Sequence, residues 1–514
     1  MMGILRTILF AATGLAATGV AFAQQTDSAS LFRTQREHAS PVAALAATAY
    51  ATPALRSEAF SGSLSEISVG YEMRREEKAL EQQKGDGGDF GRFSAGSYKH
   101  ISGKGTVWGD AGYLRGAKRN VVWNASSDYD LVFPYVVADS IGGDLTSEEY
   151  TFGGGYGHRS GRYTWALEAG ARALHEYRDS DPRIRNVAID IDAGAGASVR
   201  MGNYRLGLSA ALRVYKQSGS QIQYAHSAGE KGVYHLSGLG SHYAGFEGNA
   251  NSQTRYRGSG YGLTLALVPD AGRGGLHLAA GYEYLHIEKE LPGSADLVLQ
   301  KVVPRSFHAE AAWLGGSGNG LRWGVALKAR YDYRRGDEGI VDDNNSSQGS
   351  GTLGFLTLFE YSALQGRAEA VFGVEAAGHA WYVCPWGEYR RRTSDYLYPA
   401  QNMEFTRAGG GVDFRCVLQR RSLLLRLEAG GGYTAGLDSG LTLPVADLAA
   451  PLVRMVQYDY GRLRQDAATF RLGLRADYAL RRRMSLFLAA DYGGGLYGDN
   501  TAAHHARVAC GIAF

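Results

Sequence analysis

A short stretch near the middle of the chain limits the folds that are open to it. In residues 321–335, LRWGVALKARYDYRR, every second side chain from Leu321 to Tyr333 is apolar, and five charged residues lie on the alternate positions. A strand sends alternate side chains to opposite faces, whereas a helix would scatter these charges around its circumference. Five charges also exclude a core strand that is buried on both faces. One face of this strand must meet an apolar medium and the other a polar one.

The same alternation recurs along most of the chain, in segments joined by connections of two kinds. Further alternating segments are 163–178, 187–200, 204–215, 369–383, 403–418, 423–433 and 470–480. Short turns are predicted at 102–105, 160–162, 202–203, 272–275, 315–320, 365–367, 420–421 and 481–483, and long loops at 118–147, 218–254, 336–351, 385–402 and 437–466. This arrangement predicts an all-β, transmembrane antiparallel β-barrel of about 18 strands (16–18), with short periplasmic turns and long extracellular loops.

Composition agrees with a barrel and excludes other classes. Glycine (71 residues) and tyrosine (32 residues) are abundant, which suits twisted strands with aromatic rims. Beyond the first 23 residues no run of 18 apolar residues exists, so spanning by helices is excluded. The net charge of +3 is too small to indicate nucleic-acid binding, and the expected surroundings are outer-membrane lipid.

The N-terminus has the pattern of a secretory signal. Arg6 precedes an apolar stretch, and Ala21-Phe22-Ala23 forms a small-x-small cleavage pattern, so we expect cleavage near Ala23 and export to the outer membrane of a Gram-negative bacterium. The domain prediction is a signal peptide (1–23), an N-terminal periplasmic segment or plug (24–63) and an outer-membrane β-barrel (64–514). Residues 30–52 are Ala-rich and could form a short helix. A tail in the periplasm and a small plug inside the lumen both remain open.

The last strand, 504–514, ends on Phe514 and resembles the closing strand of bacterial outer-membrane barrels. Cys384, Cys416 and Cys510 are an odd set, and we predict no disulfide. By strand parity all three are expected on the apolar, outward faces.

The inward faces of the predicted strands carry both signs of charge. The lumen-lining candidates are Glu168, Arg172, Asp190, Asp192, Arg213, Glu283, Lys328, Arg330, Asp332, Glu369, Glu375, Asp413, Arg415, Arg426, Glu428, Arg471, Arg475 and Asp477. Such a wall could impose a transverse field on a polar solute. It could equally be a structural lattice of ion pairs, since buried charges are normally paired.

Signatures of catalysis or of bound cofactors are weak. The glycine runs at 153–155 and 315–320 lack the Lys-Ser/Thr ending of a phosphate loop, and the acidic segments 86–89 and 342–345 lack the ligand spacing of a Ca²⁺ site. No histidine has a partner at metal-ligand spacing. We therefore assign no catalytic, cofactor or metal residues and expect a protein that is not an enzyme.

The 118–147 loop combines aromatic and acidic residues, which is unusual for a solvated loop. The candidate residues are Trp123, Asp128, Tyr129, Phe133, Tyr135 and Asp139. One interpretation is a loop that folds inward as a constriction or packs as a cap on the outer mouth. The other is an exposed surface loop.

Several motifs around this loop carry a family resemblance. They are Trp123-Asn124, Ser127-Asp128-Tyr129, Phe133-Pro134-Tyr135, Asp139 to Gly143, Glu148-Glu149-Tyr150, Glu176-Tyr177-Arg178 and Asp181-Pro182-Arg183. Together they resemble a family of uncharacterised outer-membrane barrels of Bacteroidota, filed as a domain of unknown function. The resemblance implies a single-domain barrel and supplies no substrate or catalytic residue.

Three functions follow as hypotheses from this fold. The first is a solute channel, or an accessory of an outer-membrane uptake system that works with an outer-membrane receptor or a periplasmic protein. The alternative is a structural or scaffold barrel that docks a periplasmic or secretion partner. A membrane-embedded hydrolase is the third.

Overall fold

The computed structural model describes residues 28–219, 233–243, 253–270, 274–292, 297–316, 320–341, 352–444, 450–481 and 483–514. Eighteen of the strands form one closed sheet. They are β1 (Leu64–Glu76), β2 (Gly87–His100), β3 (Gly105–Val121), β5 (Gly143–Ser160), β6 (Tyr163–Tyr177), β7 (Arg185–Met201), β8 (Tyr204–Gly219), β11 (Thr254–Pro269), β12 (Gly275–Leu291), β13 (Leu297–Gly315), β14 (Gly320–Val341), β15 (Thr352–Glu375), β16 (His379–Tyr396), β17 (Gln401–Arg420), β18 (Leu423–Thr442), β19 (Ala467–Arg481), β20 (Met484–Tyr497) and β21 (Ala502–Ala513).

Every barrel strand pairs antiparallel with the next one along the chain, and the first strand pairs with the last. In β1, Ile67 lies opposite Ala95 of β2 on one side and opposite Ile512 of β21 on the other. Closure leaves no strand edge exposed, as an apolar surrounding requires. The predicted fold class and strand number are confirmed.

The outward face is apolar, as the alternation predicted. Along β14, the outward Leu321 and Leu327 side chains are 64% and 66% exposed, whereas Lys328 points into the lumen and pairs with Glu369. Outward aromatic residues such as Tyr261 and Tyr284 stack against each other. This surface is the one that lipid would cover.

Two connections and one side chain differ from the predictions. Residues 365–367, predicted as a turn, lie within β15, and the predicted loop 385–402 consists mostly of β16. The true turn falls at 376–378, within the segment 369–383 that was predicted as one strand. This shift reverses the parity of Cys384, which packs on the luminal side near Tyr382 instead of facing outward. All three cysteines are free thiols.

The remaining elements of the described chain lie inside the barrel or over its outer mouth. They are the helices α1 (Ser28–His38), α2 (Pro41–Ala44), α3 (Pro53–Arg56), α4 (Tyr129–Val132) and α5 (Pro451–Leu463), and the strands β4 (Val137–Asp139), β9 (Val233–Gly238) and β10 (Ser241–His242). The three strands form a separate small sheet, in which β9 lies between β4 and β10. Within the described residues, no helix is both long enough and apolar enough to span a membrane.

Candidate functional site in the barrel lumen

Residues 28–62, here called the N-terminal segment, lie against the inner wall at the end of the barrel that carries the short turns. Phe32 is fully buried against Leu424 and Ala479. Val42 and Leu45 pack on the alanines of a second patch, and Leu55 packs on a third. The segment therefore follows the inside of the wall across several strands. The predicted signal peptide lies outside the described residues.

The wall beneath this segment is built of small side chains that make room for it. A methyl group on Gly324 would lie 2.7 Å from Leu45 Cδ1, and one on Gly207 would lie 2.9 Å from Leu55. The neighbouring wall positions include Ala312, which is 1% exposed. Close contact of this kind, with large side chains on the segment and small ones on the wall, is the packing of a folded core.

Polar contacts fix the same segment to luminal charges. The Gln35 side chain donates to Asp477 at 3.2 Å and to Ser485 at 3.0 Å. Arg205, only 4% exposed, pairs with Glu58 of the segment at 3.0 Å. Two of these partners, Asp477 and Arg205, are buried charges of the wall that also pair with Arg475 and with Asp270, so the segment joins existing buried ion-pair networks.

Residues 122–142, here called the inserted loop, fill the opposite half of the lumen. Trp123, Val132, Tyr135 and Val136 join one apolar cluster with inward-facing wall residues. The wall residues of this cluster include Leu174, Tyr215, Tyr256, Ile287, Val302, Phe359, Tyr396 and Phe405. Because these wall residues come from strands that extend from β6 to β17, more than half of the barrel, the loop crosses the lumen.

A buried ion pair fixes the end of the inserted loop. Asp139 and Arg178 have side chains that are 0% and 1% exposed, with 3.3 Å between Oδ2 and Nη1. Asp139 Oδ1 also accepts from the backbone N–H groups of Ile141 and Gly142. Arg178 donates to the carbonyl groups of Pro182 and Val121. The motifs Asp139 to Gly143, Glu176 to Arg178 and Asp181 to Arg183 thus meet in space.

A second anchor lies at the start of α4. Arg172 donates to both carboxylate oxygens of Asp128, at 3.1 and 2.8 Å, and to Glu149 at 2.7 Å. The Tyr215 hydroxyl donates to Asp128 at 3.0 Å. Ser127 donates to Glu176, a wall carboxylate that is 1% exposed. Luminal charges therefore hold the loop inside the barrel.

The helix α5, here called the cap helix, lies over the mouth beside these elements. Leu452 and Val456 join the apolar cluster of the inserted loop. Arg462, 4% exposed, donates to the carbonyl groups of Lys78 and Ala79 and to Asp499 at 2.9 Å. The Arg462 side chain therefore contacts the connections that follow β1, α5 and β20.

Burial changes the titration of one carboxyl group on the cap helix. Asp459 is 8% exposed and accepts from the Gln82 backbone N–H at 3.1 Å. Desolvation raises its pKa from 3.8 to about 7; the nearby Glu81 acts in the same direction and Arg392 opposes it. Ionised Asp459 is therefore disfavoured while the helix is docked.

This pKa shift predicts that docking of the cap helix weakens as the pH rises. The stability that protonated Asp459 gives to the docked state is fully present below its ordinary pKa of 3.8. It is lost as the pH rises from there through about 7. Between pH 5.5 and pH 8.5 the loss is about 2 kcal/mol, or roughly thirtyfold in docking. Hydrogen exchange of residues 451–463, corrected for intrinsic rates, should show less protection at pH 8.5 than at pH 5.5.

Two substitutions control this measurement. Asp459→Asn keeps an oxygen acceptor for Gln82 and should abolish the pH dependence. Asp438→Asn, at an exposed site on β18, should leave it unchanged. Equal protection of the native helix at both pH values would contradict the assignment of this group.

A belt of partly exposed charges, here called the luminal chamber, lies between the N-terminal segment and the inserted loop. Pairs of opposite charge, within one strand or between strands, occur throughout it. They include Arg213 with Asp190, Arg330 with Asp332, Lys328 with Glu369, Arg415 with Glu428, Arg471 with Asp413, and Arg475 and Arg426 with Asp477. Arg330 and Arg471 remain 45% and 55% exposed, so water reaches the belt.

The chamber wall is also polarised from one side to the other. Asp192 and Glu283, on β7 and β12, form no ion pair with the described residues, and Glu168 has only Arg56 of the N-terminal segment at 3.9 Å. The side from β14 to β17, which lies across the barrel from β6 and β7 but begins only two strands from β12, carries an excess of arginine. Both interpretations of the luminal charges therefore have structural counterparts: a lattice of pairs and a transverse separation of charge.

The candidate residues divide between three parts of the lumen. Arg172 contacts the inserted loop, Glu168 and Asp477 contact the N-terminal segment, and Glu375 lies near the short turns, where it accepts from Tyr382. The six loop candidates lie together in the inserted loop. That any of them binds or gates a solute stays a prediction.

Sequence reasoning missed several residues that organise these parts. Arg178 was noted only as a motif residue, and Arg390 lay in the segment 385–402 that was wrongly predicted as a loop. His235, to which sequence analysis assigned no role, lies in β9 and is 1% exposed. Within the described residues, no group of three or more potential ligands is placed to hold a metal ion.

Comparison with solved structures finds outer-membrane receptors at very low sequence identity. The ferric preacinetobactin receptor BauA from Acinetobacter baumannii is 9% identical, with a TM-score of 0.37 over 88% of this chain and 79% of that chain. The ferric-catecholate import receptor Fiu from E. coli K12 is 8% identical, with a TM-score of 0.36 over 87% and 81%. The alcaligin outer membrane receptor FauA from Bordetella pertussis is 10% identical, with a TM-score of 0.30 over 86% and 76%. The ligands named for those receptors are not assigned to this chain.

Sequence comparison identifies a family. No curated protein matches the chain. The family model described as "Family of unknown function (DUF6850)" matches residues 53–514, which include all eighteen barrel strands and the inserted loop. The chain therefore belongs to this family of unknown function.

Proposed function

We propose that this protein is an outer-membrane uptake barrel in which two internal segments control a solute path. The observation that carries the proposal is the packing of the lumen from both ends around a solvated, charged chamber. The N-terminal segment acts as the plug on the periplasmic side, and the inserted loop with the cap helix acts as the gate on the extracellular side.

Charged anchors of the two segments support a gating role. Barrels of 16–18 strands leave an aqueous channel unless something fills it. Here both fillings are attached through ion pairs and hydrogen bonds as well as apolar contacts, so competition by a solute or a partner could release them. A periplasmic protein, or an outer-membrane receptor to which this barrel is an accessory, is the partner that this proposal requires.

Solute permeation in reconstituted liposomes tests the proposal. The mature chain, 24–514, should give slow swelling with small sugars and amino acids, because both barriers are in place. A variant that lacks residues 24–62 and carries Arg178→Ala should swell rapidly. The alternative function, a scaffold barrel, predicts no swelling in either form, and that result would refute a transport path.

A further inference from the structure

Two arginines face each other on the luminal side of β16 and β17. Arg390 and Arg407 are direct partners in the strand register. Side chains at such positions have Cβ atoms about 4.5–5.5 Å apart, and like charges there are destabilising. A sheet that keeps two guanidinium groups opposite each other requires a compensating negative charge.

The described residues supply that charge only through shared or more distant carboxylates. Arg390 donates to Glu388 at 3.2 Å, but the same carboxylate oxygen also accepts from Arg367 at 3.3 Å. Arg407 forms no ion pair within the described chain. Its Nη2 donates to the backbone carbonyl of Gln465 at 2.6 Å, and its buried Nε has no hydrogen-bond partner there. The carboxylate of Asp466 also acts on Arg407 electrostatically, although the two form no ion pair. Three arginines thus share the charges of Glu388, Glu369 and Asp466.

The pair lies where a solute could reach it. Arg390 is 56% exposed, although it points into a lumen that is filled on both sides. Gln465, the contact of Arg407, follows the cap helix directly. The arginines therefore belong to the luminal chamber just beneath the cap. Paired guanidinium forks suit planar or tetrahedral oxyanions, which they bind through two parallel hydrogen bonds.

We propose that Arg390 and Arg407 form a binding site for the carboxylate or phosphate group of a solute in the luminal chamber. This inference rests on the proposed uptake function and names the class of solute. Arg367 adds a third cation, held in place by Glu369 at 2.7 Å and by the ring of Trp386. The acidic opposite wall would repel the same anion and direct it toward the arginines.

The test measures binding of inorganic phosphate and of succinate to the refolded mature chain by isothermal titration calorimetry, at constant ionic strength against chloride. The Arg178→Ala variant is measured in parallel, so that restricted access to a closed chamber is not mistaken for absence of the site. Arg390→Gln and Arg407→Gln should each weaken binding by about tenfold. Arg407→Lys keeps the charge but loses the planar guanidinium fork, so its affinity for the anion should fall between that of the native protein and that of Arg407→Gln. Arg391→Gln, on the outward face next to Arg390, should have no effect.

The outcomes separate this site from the uptake function. Absence of phosphate and succinate binding in both proteins, or binding that Arg390→Gln and Arg407→Gln leave unchanged, would overturn the site. Arginine-dependent binding by a barrel that never supports liposome swelling would retain the site and remove the transport path. A preference for one of the two anions would identify the solute group as carboxylate or phosphate.

Discussion

Arg178→Ala is expected to free the inserted loop from the lumen. The substitution leaves the fully buried carboxylate of Asp139 without its cation. Removing one partner of a buried ion pair costs about 3–5 kcal/mol, which increases the open population by roughly a hundredfold or more. The two carbonyl contacts of Arg178 are lost as well.

Chymotrypsin can measure this release. Tyr129 and Tyr135 of the inserted loop are potential cleavage sites, and the second of them is 1% exposed. Native protein should resist cleavage there, and Arg178→Ala should be cut quickly while the barrel stays folded. The matched control is Arg183→Ala, which removes an exposed partner of Asp181 in the same connection. Equal resistance of Arg178→Ala and native protein would show that the pair does not hold the loop.

Removal of residues 24–62 is expected to expose the inner wall at the periplasmic end. Ala312 and Ala326 are 1% and 3% exposed because the N-terminal segment covers them. In a chain whose three native cysteines are replaced, Ala312→Cys should react with a polar maleimide only after truncation. The expected change is from almost no labelling to the labelling rate of a solvated site.

Ser102→Cys provides the reference for this experiment, since Ser102 is exposed in a short turn. It should react equally in the intact and truncated chains. Rapid labelling of Ala312→Cys in the intact protein would mean that the segment leaves the lumen readily, as a periplasmic tail would. The packing of Leu45 against Gly324 makes that behaviour unexpected.

The sequence predicted the barrel because its signal is local. Alternation over ten or more residues, as in 321–335, specifies both the strand and its lipid-facing side. The errors at 365–367 and 385–402 arose where glycine, proline and charge occur inside strands. Gly366 and Pro385 resemble turn residues, yet both lie in long paired strands. Turn chemistry alone could not distinguish these positions from real turns.

The contents of the lumen were less predictable because they depend on contacts between distant parts of the chain. The aromatic and acidic composition of the 118–147 loop indicated an inward fold, but nothing local linked Asp139 to Arg178 across a strand pair. For the N-terminal segment, the informative residues lie in the barrel wall and not in the segment itself. Gly207 and Gly324 leave space that matters only once the segment is placed against them.

Single-channel conductance tests the central claim, that two barriers in series close one path. Four refolded proteins are compared in planar bilayers: the mature chain, the chain without residues 24–62, Arg178→Ala, and the combination of both changes. Stable conductance should appear in the combined variant and stay low or intermittent in the other three. A mature chain that conducts as steadily as the combined variant would contradict the account.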